Sequence, residues 1–67
     1  MDYMQVNKEA VRLINNGLFE ARDWGKMRNR LDVYRHILQN SIVRYNHQDM
    51  ADIAEEIADL LYIEKRK

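Results

Sequence analysis

The chain has no cysteine, no proline and no threonine, one serine and two glycines. Without cysteine no disulfide braces the fold and no thiolate holds zinc, and the composition fits a reducing compartment. Without proline, and with glycine only at 17 and 25, the chain lacks the turn residues that punctuate an all-β protein. Two isolated glycines also fail to make a loop whose backbone cradles phosphate. Ser41 is the only serine. His36 falls on another side of a helix and His47 in a connection, so no base is placed to activate it. The two histidines are not spaced as a ligand pair one helical turn apart, and they read as surface residues.

Long apolar runs are missing too. Asp2, Lys8, Glu9 and Arg12 interrupt the first 17 residues, so no signal peptide is expected. No stretch is long and apolar enough to cross a bilayer. The expectation is a cytoplasmic protein without cofactor, metal or membrane association.

What is present favours helix: Leu, Ile, Met, Ala, Arg and Glu dominate. Sixty-seven residues allow one domain, 1–67, near the lower size limit for a single apolar core. Three amphipathic helices are expected, over about 3–16, 19–45 and 48–64. Asp2 with Gln5 reads as a capping box for the first helix. Asn7 is a second possible cap, with Val6 and Val11 as its hydrophobic staple. Tyr3, Val6, Ala10, Leu13 and Ile14 form its stripe, and Asn15-Asn16-Gly17 stops it. Asn46 caps the third helix, with Asp49 facing its positive end and Lys65-Arg66-Lys67 at its negative end. Met50, Ile53, Ala54, Ile57, Leu60 and Leu61 make its apolar face.

The second helix carries the seam Trp24, Met27, Leu31, Tyr34, Leu38 and Ile42. At full length it spans about 30 Å. The first helix is too short to cover it, so part of the Leu31–Ile42 seam would face water in a monomer. The expected architecture is therefore a small three-helix bundle, or a helical hairpin with a short N-terminal helix, completed by homo-oligomerisation.

Eleven cationic and eleven anionic residues balance, which removes the simplest argument for nucleic-acid binding. Their distribution is uneven. Arg22, Lys26, Arg28, Arg30, Arg35 and Arg44 form a basic block, and Asp49, Asp52, Glu55, Glu56 and Asp59 an acidic one. The run Glu55-Glu56-Ile57-Ala58-Asp59-Leu60-Leu61 resembles the second acidic motif of the all-α nucleoside triphosphate pyrophosphatases of the MazG type. The resemblance implies magnesium binding by Glu56 and Asp59. It covers seven residues, and the Glu-x-x-Glu pair of that family's preceding helix has no counterpart, because Glu9 and Glu20 stand alone. The bland reading is a solvated acidic face on an amphipathic helix.

On a continuous second helix, Arg22, Lys26, Arg30 and Arg44 lie opposite the seam, with Val33 and Ile37 among them. An apolar spot ringed by cations suits a protein partner. The competing reading buries Val33 and Ile37 in the core while the cationic side chains reach outward. The expected function is a small non-enzymatic regulatory or inhibitory protein that acts by protein–protein interaction as a homodimer. The alternative is a helix-turn-helix nucleic-acid binder, with a recognition helix opening at Leu18 and presenting Arg22, Lys26, Arg28 and Arg30.

Overall fold

The computed structural model describes residues 1–64. Over these the fold is all-α. Four helices, α1 (Tyr3–Asn15), α2 (Ala21–Trp24), α3 (Arg30–Asn40) and α4 (His47–Leu60), occur with no strand among the described residues. None is long and apolar enough to cross a membrane.

Local chemistry sets the ends. The Asp2 carboxylate accepts the Gln5 N–H at 2.8 Å and starts α1, as the Asn46 side chain accepts the Asp49 N–H at 2.8 Å and starts α4. Asn7 lies inside α1 instead of capping it, and Val11 is 39% exposed. At the end of α1 the Leu18 N–H donates to the Leu13 carbonyl (3.1 Å) and the Gly17 N–H to that of Ile14 (3.3 Å). Gly17 adopts φ +77°, the left-handed turn for which glycine is suited.

α4 closes with the same pair of bonds, Ile63 N–H to Ala58 and Tyr62 N–H to Asp59, four residues earlier than its expected end. Here the left-handed position is held by Tyr62, at φ 58°. A bulky side chain there costs about 1–2 kcal/mol. The turn places Ile63 in the core and brings the Glu64 carboxylate to the Arg30 N–H at 2.9 Å, where it caps α3. Lys65, Arg66 and Lys67, expected at the negative end of this helix, lie outside the described residues.

The expected continuous helix over 19–45 is broken twice. Gly25 ends α2 after one turn. The Asn29 side chain then accepts the Asp32 N–H (3.0 Å), and Asp32 accepts the Arg28 N–H (2.9 Å), which starts a new helix. At the far end the Asn40 amide donates back to the His36 carbonyl (2.9 Å), and the Ser41 hydroxyl accepts the Val43 N–H (3.2 Å). Such side-chain bonds compete with the helical ladder, and β-branched Ile42 and Val43 do not restore it. Residues 41–46 therefore form a link, not helix.

α4 is the central element. α1 and α3 each pack on it and do not pack on each other. It buries Met50, Ile53, Ala54, Glu56, Ile57 and Ala58, an arc of more than half its circumference. α1 contributes Val6, Ala10 and Leu13 to the core, and α3 contributes Val33 and Ile37. Phe19 and Ile63 close the ends. Glu56 is the one buried charged residue of the described core, and the Asn7 amide donates to its Oε2 at 2.6 Å.

Candidate interaction surface

The orientation of α3 decides which residues can meet a partner. Two side chains held by other segments fix its rotation. On one flank the His36 ring stacks on Phe19, with centroids 4.7 Å apart and planes 14° from parallel. Its Nε2 lies 2.7 Å from the Leu18 carbonyl and must carry the proton, since a carbonyl only accepts. On the other flank the Tyr34 hydroxyl lies 2.6 Å from His47 Nδ1. The sector between these two points inward, and Val33 and Ile37 occupy it at 0% and 1% exposure.

This corrects the expected partner surface. Val33 and Ile37 are core residues packed toward α4, so the basic ring has no apolar centre. The ring itself is dispersed. Arg22 lies in α2 and pairs with Glu20 at 3.0 Å; Lys26 follows Gly25 in the link. Arg30 opens α3 and reaches Glu55 of α4 at 3.6 Å, and Arg44 is in the link before α4. The two helix breaks separate cations that a continuous helix would align. The same breaks dismantle the recognition helix required by the nucleic-acid reading, because Arg22, Lys26, Arg28 and Arg30 lie on three segments.

The acidic stripe is likewise engaged. Glu55 meets Arg30, Glu56 holds Asn7, and Asp52 accepts from the Gln48 amide at 3.1 Å. Among the described residues no three His, Asp or Glu side chains are arranged to hold a metal ion. The Ser41 hydroxyl is committed to the turn at Val43.

Leu31 and Leu38, members of the expected seam, stand beyond Tyr34 at 51% and 50% exposure. Leu31 lines a groove of about 440 Å³ between α3 and α4, together with Arg30, Tyr34, His47, Ala51 and Glu55 among others. Ile42, at the end of the same seam, is 95% exposed in the link. Periodicity marked these positions as apolar but assigned them to one stripe of one helix. The signals that would have moved them were Asn29-x-x-Asp32, a cap pattern matching Asn46-x-x-Asp49, and the run of polar Asn40 and Ser41 before two β-branched residues.

A third cluster joins α1 to the link. Arg12 donates to both Glu9 oxygens (3.2 and 2.7 Å), and the Tyr45 hydroxyl donates to Glu9 Oε2 at 2.6 Å. The Arg12 and Tyr45 hydrogen bonds hold the Glu9 carboxyl below its ordinary range. Burial, then the bond to Glu9, pushes the Tyr45 phenol up. With its oxygens satisfied by fixed partners, the cluster braces the entry to α4. No family model, curated protein or solved structure matches the chain.

Proposed function

We propose that the protein is a small non-enzymatic interaction module that regulates or inhibits by occupying a partner, and that it docks through the α3–α4 flank. One observation supports this above the others. Leu31 and Leu38 lie two turns apart on one side of α3, each about half exposed, and Leu31 lines the 440 Å³ groove. The core does not need them, because Val33 and Ile37 already fill the α3 contribution to it. Apolar side chains grouped beside a concavity mark an interaction site more often than leucines scattered singly do.

Hydroxyl-radical footprinting tests the reading. The chain is labelled pure and dilute, then pure at high concentration, and then dilute in an extract of the cells that make it. Slower modification of Leu31, Tyr34 and Leu38 in the concentrated sample or in the extract, abolished by Leu31→Ser with Leu38→Ser, is the expected result. Equal modification in every setting overturns the assignment of this face.

A further inference from the structure

The docking face combines a ridge, a groove and both signs of charge. Taken at about 100° per residue, α3 presents Val33 and Ile37 inward, then Arg30 and Tyr34 on the flank toward α4. Leu31 and Leu38 come next, and exposed Arg35 forms the outer edge. α4 presents Ala54 and Ala58 inward, then His47 and Ala51, then Gln48 and Glu55. Asp52 stands at its outer edge. Crossing the face from α3 to α4 one therefore meets a cation, a leucine ridge, the groove and the carboxylates.

We infer that the occupant of this face is a second copy of the same chain, docked about a two-fold axis that runs between ridge and groove. The inference rests on the docking-face reading above. A two-fold axis lying in the plane of the face, along the line between ridge and groove, turns the two faces toward each other and exchanges their halves, so each leucine ridge meets the groove of the other copy. The same rotation brings Arg35 of each copy to Asp52 of the other. The complementarity is contained in one surface: a leucine knob beside a hole whose lining includes Tyr34, Ala51 and Ala54, and a basic edge opposite an acidic one. Arg30 and Arg35 balance Asp52 and Glu55 across the face, so a strongly cationic or anionic partner gains no net attraction there. A two-fold axis running across the two helices would instead set ridge on ridge and bring like-signed edges together, which leaves the axis along the helices as the favoured one.

Sedimentation and a charge exchange test this. The wild-type chain is expected to associate reversibly to a dimer across the micromolar range. Leu31→Ser with Leu38→Ser, changes at exposed positions, weakens the dimer by about 100-fold or more with the circular dichroism spectrum unchanged. Arg35→Glu and Asp52→Arg, each alone, place like charges at both symmetry-related contacts and weaken the homodimer by about tenfold. An equimolar mixture of these two variants restores opposite charges at both contacts and forms a heterodimer of wild-type affinity. A mixture no tighter than the single variants overturns the two-fold pairing. So does a leucine variant that dimerises like the wild type. A wild-type chain that remains monomeric, while Leu31 and Leu38 are still protected in extract, overturns the second copy and leaves the docking face standing. A face unprotected in every setting overturns the docking face itself.

Discussion

α3 and α4 differ less in apolar content than in what surrounds them. α4 buries six of its fourteen residues and α3 two of its eleven, although α3 carries Leu31, Val33, Tyr34, Ile37 and Leu38. α4 has a helix on each side; α3 has a helix on one side and the Leu18–Phe19 segment on the other. Burial is therefore set by position in the topology, and α3 keeps Leu31 and Leu38 half exposed because no second helix covers them. The same contrast explains the one buried carboxylate. Glu56 lies on the α1 side of α4, in a sector that would be solvent-exposed on a helix with a single neighbour.

The largest effect expected from this contrast is on stability. Ile57 is fully buried on α4, and Ile57→Ala removes most of a side chain from a packed site at a cost of about 2–5 kcal/mol. Leu38→Ala on α3 deletes a similar volume from a half-exposed position and should change monomer stability by only about 0.5 kcal/mol. Urea unfolding of both variants, measured dilute enough to avoid association, compares the two helices directly. Similar losses would mean that the α3 flank belongs to the core.

This contrast also separates what could be read along the chain from what could not. Asp2, Gly17 and Asn46 act through bonds to residues within five positions, so helix ends at 15–17 and 46–47 were legible. The start of α3 used the same chemistry at Asn29 and was legible in principle, but the regular Trp24–Ile42 spacing masked it. A helix break resets the phase of a periodic pattern, and every face assigned across the break then fails. The rotation of α3 was beyond reach by any local rule. It depends on His36 meeting Leu18 and Tyr34 meeting His47, contacts of 18 and 13 residues' separation. Those contacts decide between the two readings of Val33 and Ile37 in favour of the core, and leave Leu31 and Leu38 half exposed.

A middle-sized effect probes the second side of α4. Asn7→Ala leaves the Glu56 carboxylate without its 2.6 Å donor in a site only 7% exposed. The expected cost is about 1–3 kcal/mol, the penalty for an unsatisfied buried acceptor. Glu56→Gln keeps an oxygen that can accept from Asn7 and should cost less than Asn7→Ala. Thermal denaturation of the two variants ranks them. The reverse order would show that the charge of Glu56, not its acceptor, matters at this contact.

The smallest effect concerns the brace on the α1 side, and its sign follows from the direction of two shifts. The folded chain holds the Glu9 carboxyl below its ordinary value of 4.5, so the ionised form favours the fold. That contribution is complete above the unfolded value and is lost as pH falls through the folded one. The Tyr45 phenol is raised above its ordinary value of 10.0, so its protonated form favours the fold. Its contribution is complete below that value and is lost as pH rises through the folded one. Both groups sit near water and are screened, which keeps the effect below those of Ile57 and Asn7. Melting temperatures of wild type and Glu9→Gln across pH should differ most between these limits and converge in acid, where the wild-type carboxyl also becomes neutral. A gap that stays constant through the acid range would mean that the ionised Glu9 contributes nothing, and that α1 is held to α4 by apolar packing, the Asn7–Glu56 bond and the Met1–Asp49 pair.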